Sequence, residues 1–138
     1  MSLPAVAVTK DGKRVLVAWK QVSKNAPHVS WREATGTARD ADLQPQPGGT
    51  QDHPCLAFAP TPEGTWAAVW EETRVGRQSI WYRTSKPGDL GKQLSASGNI
   101  EGQAAFPVLV IGSQNTTIAY ETKQGERLSV VVQKLPSS

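Results

Sequence analysis

The stretch "LVAWKQV" (residues 16–22) is an alternating apolar run that ends in one tryptophan and then turns abruptly polar. The phrase returns as "AAVWEET" (67–73) and again as "TIAYETK" (117–123). Its aromatic anchors, Trp19, Trp70 and Tyr120, stand 51 and 50 residues apart. Self-similarity at a fixed period marks a chain built from stacked structural units, each too small to bury its own apolar face.

Working outward from the anchors, the same landmarks recur. Each phrase is preceded by a proline and an apolar run: "PAVAVT" from Pro4, "PCLAFA" from Pro54 and "PVLVIG" from Pro107. Between run and anchor lies a turn, "KDGK" (10–13), "TPEG" (61–64) or "SQN" (113–115). The glycines in the first two accept the positive φ that tight hairpins require. Twelve residues past each anchor the chain alternates again, in "HVSWREA" around Trp31, "SIWYRTS" around Tyr82 and "LSVVVQK" around Val132. A fourth, weaker strand is expected around Leu43 and Leu94.

Period-two patterning rich in Val, Ile, Trp and Tyr predicts β-strands. In the opening phrase Val15, Val17 and Trp19 share one face, with Leu16 and Ala18 on the other. Both sets are apolar, so the strands are expected to be covered on both sides. The predicted fold is all-β: three four-stranded antiparallel blades of propeller type, the last incomplete, within one domain. The repeats run over 3–52, 53–105 and 106–138. A β-sandwich of about seven strands is the competing architecture, but it carries no fifty-residue echo.

Composition narrows the function. The 138 residues carry a net charge of +3, with lysines and arginines scattered and no run longer than Lys13-Arg14. Nucleic-acid binders gather such charge on one face, so no nucleic-acid partner is expected. No segment is apolar for eighteen residues, so no membrane-spanning helix is expected. Cys55, the single cysteine, lies in "CLAFA" and reads as a small core thiol. Two histidines and one cysteine lack the short spacings of ligand sets, so neither metal nor cofactor is expected.

"HPCLAFAPTPEGTWAAVWEETRVGRQSIWYRTSKPG" (53–88) resembles a blade of the sialidase-like propellers, which carry bacterial neuraminidase (Asp-box) repeats. The resemblance implies half of a six-bladed ring, completed by a second copy in a homodimer or by further blades of a longer chain. It also implies a periplasmic or extracellular setting, although "MSLPAVAVTK" has no legible secretion signal and leaves the compartment unknown. The Asp-box, S-x-D-x-G-x-x-W, survives in outline as Ser85, Gly88, Asp89 and Gly91, without its tryptophan. The arginine triad, tyrosine–glutamate pair and acid/base aspartate that the resemblance implies find no counterparts here, so no catalytic residue is assigned.

The ligand face of such propellers is made by loops joining second to third strands and each fourth strand to the next first. Here those loops hold Lys24, His28, Asp52, His53, Glu71, Glu72, Arg74, Arg77, Glu101, Glu121 and Arg127. Arg74, Arg77 and Arg127 suit an anionic sugar or carboxylate, which a guanidinium grips through two parallel hydrogen bonds. Glu71 and Glu72 could supply a carboxylate for hydrolysis, the plainer reading being a solvated strand end beside arginines. Asp52 and His53 are adjacent in a strand and so are expected to point apart. Tyr120 with Glu121 has the look of a nucleophile pair, but by register Tyr120 is a core anchor. His28 and His53 complete the candidate binding set with Asp52, Glu72 and the arginines.

Three functions compete on this reading. The first is a non-catalytic module that binds a glycan or protein ligand and self-associates. The second is a fragment of an exo-sialidase-like glycoside hydrolase whose site is completed elsewhere. The third is a purely structural half-ring.

Overall fold

The computed structural model describes residues 3–22, 27–35, 39–43, 49–61, 63–94 and 103–136. These residues form eleven strands and no helix. The first sheet holds β1 (Ala5–Val8), β2 (Val15–Gln21), β3 (His28–Glu33) and β4 (Ala41–Asp42) in that order. The second holds β5 (Thr50–Phe58), β6 (Trp66–Arg74), β7 (Arg77–Thr84) and β8 (Lys92–Gln93). The third holds β9 (Gln103–Ile111), β10 (Asn115–Gln124) and β11 (Arg127–Pro136). Every pairing is antiparallel between sequence neighbours, which makes each sheet a meander. The three sheets do not close on themselves.

The sheets stack in chain order, and β6 shows why. Alternate side chains leave opposite faces of a strand. Trp66, Ala68 and Trp70 therefore pack against Leu16, Ala18, Val29 and Leu43 of the first sheet's side. Ala67 and Val69 pack instead with Leu109, Ile118 and Tyr120 of the third sheet. The middle sheet thus supplies a wall to two separate cores. Closest approach is through first strands: β5 lies against β1, β2 and β3, and β9 lies against β5, β6 and β7.

The expectation of cover on both sides holds for the second sheet and fails for the first. Leu16 and Ala18 are wholly buried, whereas Val15, Val17 and Trp19 are only half-buried and Val6 and Val8 are exposed. Among the described residues the first sheet has a neighbouring sheet on one side only.

The repeat prolines mark a second device. In β5, His53 and Pro54 together oppose the single anchor Trp70; in β9, Phe106 and Pro107 oppose Tyr120. Two residues against one is a β-bulge. It suits proline, which has no N–H to give to a ladder. His53 and Phe106 each take a positive φ, 49° and 54°.

Candidate functional site

In a meander, alternate connections fall at the same end of the sheet. The β6–β7 and β10–β11 hairpins, the end of β2 and the starts of β3, β5 and β9 therefore share one end. Hydrogen bonds across the seams show that these ends are level. The Val29 N–H donates to Gln51 Oε1 at 2.9 Å, joining first to second sheet. The Phe106 N–H donates to Glu71 Oε2 at 2.7 Å, joining third to second.

The Glu71–Glu72 pair is the centre of this end, and it is not solvated. Glu71 is 6 % exposed and Glu72 is 0 % exposed. Strand alternation sends one carboxylate into each seam. Glu72 Oε1 accepts from Gln51 Nε2 at 2.9 Å and from Trp70 Nε1 at 3.2 Å, and Glu72 Oε2 accepts from Arg74 Nε. Removing a partner from a buried ion pair costs about 3–5 kcal/mol. An exposed ion pair returns only about 0.2–1 kcal/mol. Glu72 is therefore held by the fold and withdrawn from the ligand-binding set in which the sequence placed it.

Glu71 faces the other seam, where the bulges meet. His53 Nδ1 lies 3.0 Å from Glu71 Oε1 and 3.7 Å from Asp52 Oδ1, not aligned as a hydrogen bond. The His53 ring meets Phe106 edge-on at 5.0 Å between centroids. The expectation that Asp52 and His53 point apart is corrected, because the bulge breaks the alternation on which it rested. Asp52 also pairs with Lys20 Nζ across the first seam at 3.0 Å.

Arg74 and Arg77 flank the two-residue tip of the β6–β7 hairpin, Val75-Gly76. Arg74 leans back over Trp81, its guanidinium carbon 4.1 Å from a ring centroid, while Arg77 is exposed. Arg127 begins β11 beside the neighbouring hairpin tip and is exposed. His28 Nε2 pairs with Asp42 Oδ1 at 3.2 Å. Tyr120 is 3 % exposed within the second core, and burial pushes its hydroxyl above the ordinary range, as expected of an anchor rather than a nucleophile. Glu121, by contrast, is exposed on the free face of the third sheet. Lys24 and Glu101 lie outside the described residues.

No protein-family model and no curated protein matches the chain.

At the far end Asp89 works as a turn clasp between β7 and β8. Asp89 Oδ2 accepts from the Thr84 N–H and hydroxyl, both at 2.8 Å, and Asp89 Oδ1 accepts from the Gly91 N–H at 2.9 Å. Partial burial pushes the Asp89 carboxyl upward, but these hydrogen bonds and nearby Arg83 outweigh it and hold it below the usual carboxylate value. Gly91 has φ +89°, and a Cβ there would sit 2.9 Å from Trp70 Cη2. A hollow of about 660 Å³ opens at this end between second and third sheets, walled by Trp66, Tyr82, Lys86, Ile111 and Thr116. It is remote from the arginine hairpin. Among the described residues no cluster of His, Cys, Asp and Glu is placed to hold a metal ion.

Sequence reasoning missed Gln51, whose amide ties Glu72 to the first sheet. A polar residue two positions before the bulge residue His53 was the available signal. It also read Glu71 and Glu72 as surface groups, since no local pattern reveals a neighbouring sheet.

Proposed function

We propose that the chain is a non-catalytic binding module of the sialidase-like propeller type, with its contact surface at the arginine-bearing end of the sheets. The observation that carries this reading is the engagement of Asp52, Glu71 and Glu72 in the seams between sheets. Glycoside hydrolysis needs two carboxyl groups free to act on substrate at a set separation. Those three are committed to neighbouring sheets, which speaks for binding over turnover.

The ligand that this end suits is anionic. Arg77 and Arg127 are exposed at hairpin tips, while Arg74 is engaged by Glu72 and stacked over Trp81. A guanidinium grips a carboxylate through two parallel hydrogen bonds, and Arg77 and Arg127 stand at the surface for such a grip. A carboxylate-bearing glycan or an acidic protein segment has the matching chemistry.

A fluorogenic sialoside assay together with an acidic-glycan array tests the reading. No turnover is expected, with salt-sensitive retention of acidic glycans that weakens about tenfold in Arg77→Ala. Measurable turnover abolished by Arg74→Ala would overturn it in favour of a glycosidase.

A further inference from the structure

The middle sheet displays both mating surfaces of the repeat, because it is covered on both sides. Counted from the anchors and prolines, Cys55, Ala57, Val69, Ile80 and Tyr82 face the third sheet. The same positions in the third sheet are Val108, Val110, Ala119, Val130 and Val132, and they line its uncovered face. Cross-strand pairing confirms the row: Val108 and Val132 both lie opposite Ala119. In the other direction, Leu56, Phe58, Trp66, Ala68 and Trp70 face the first sheet. Their equivalents in the first sheet are Val6, Val8, Val15, Val17 and Trp19, which line the uncovered face there. Val6, Val8, Val108, Val110, Val130 and Val132 are 51–70 % exposed.

One face has the register positions that meet the next sheet, and the other has those that meet the preceding one. Within the chain, two such faces are already sealed against each other twice. The polar contacts extend the equivalence. Lys20, immediately after its anchor, reaches Asp52 beside the first bulge, and Glu71, immediately after Trp70, takes the N–H of Phe106 at the second. Glu121 follows Tyr120 in the same way and stands exposed on the open face. The residue that corresponds to Phe106, one position before the repeat proline, is Leu3.

We propose that a second copy of this chain covers both faces, the third sheet of each protomer docking head-to-tail on the first sheet of its partner to close a two-fold dimer of six sheets. The inference rests on the propeller reading above and adds which faces meet. Each interface is heterologous, so one protomer gives its β9–β11 face and receives on its β1–β3 face. Glu121 is placed to accept the N–H of the partner's Leu3, as Glu71 accepts that of Phe106.

The test is sedimentation of the full chain with two single variants at exposed positions, Val132→Asp and Val6→Glu. The expected result is a particle of twice the chain mass whose dissociation constant rises at least tenfold in either variant. Glu121→Ala is expected to weaken it by a smaller factor. An equimolar mixture of the two variants keeps one intact interface and is expected to pair where each alone does not. A monomer at tens of micromolar would overturn the proposal and give these faces to another chain or to further blades. So would open-ended filaments, or a dimer broken by Val132→Asp and untouched by Val6→Glu, which marks a like-on-like contact. Far-UV circular dichroism of each variant separates lost pairing from lost folding. A dimer of the expected kind that hydrolyses a sialoside would leave the interface standing and remove only the non-catalytic reading.

Discussion

Asp89 shows how one carboxylate can hold a whole turn. Its two oxygens take three hydrogen bonds from Thr84 and Gly91, and these fix the turn from β7 into β8. Because the folded carboxyl is held below its ordinary value, its ionised form favours the folded state. That contribution is complete above the unfolded carboxylate value and is lost as pH falls through the depressed folded one. Asp89→Asn keeps one acceptor and is expected to cost about 1–2 kcal/mol at pH 7, after allowing for its partial exposure. The gap between the two proteins in urea melts is expected to narrow steadily below about pH 4. A gap independent of pH would show that the carboxylate charge contributes nothing. The stretch from Thr84 to Leu94 reads in the sequence as a turn between third and fourth strands, but the three-bond clasp does not. Glu71 and Glu72 illustrate the opposite case, where local polarity pointed to water and the neighbouring sheets decided otherwise.

The β6–β7 hairpin was legible in advance as two alternating runs around "RVGR", and it forms with Val75 and Gly76 alone in the turn. Both take positive φ, 49° and 74°, the requirement of the tightest twisted hairpins. Gly76 meets it freely. Val75 does not, since a branched side chain in this region costs about 1–2 kcal/mol, and here it is fully exposed with no packing to repay the strain. Val75→Asn is therefore expected to raise stability by about 0.5–1 kcal/mol, read as a higher denaturant midpoint at unchanged slope. No change would mean that the turn relaxes in solution. The bulges of β5 and β9 were not foreseen, although Pro54 and Pro107 inside strand-like runs carried the signal. A strand that must bend at its proline could have been inferred; that His53 and Phe106 would meet there could not.

Across the whole molecule, stability is distributed unevenly because the sheets are covered unevenly. Seven consecutive residues of β6, Trp66 to Glu72, are buried, while Leu128, Val130 and Val132 on β11 are exposed. Local opening is cheapest where little apolar surface is lost. Native-state hydrogen exchange is expected to show β6 amides exchanging only through global unfolding and β11 amides at least a hundredfold faster. Uniform protection across the three sheets would contradict this gradient. Pairing of two copies through the open faces would slow β11 and β1 together in a concentration-dependent way.

The sequence by itself determined the strands, their antiparallel meander order and the turns, because these follow from side-chain periodicity and backbone preference over a few neighbouring residues. Tertiary structure alone decided which face of each sheet is sealed, that Glu71 and Glu72 serve different seams, and that a bulge brings His53 to Glu71. Those outcomes depend on residues about twenty to fifty positions away in the chain, and alternation within one strand carries no record of what lies across from it.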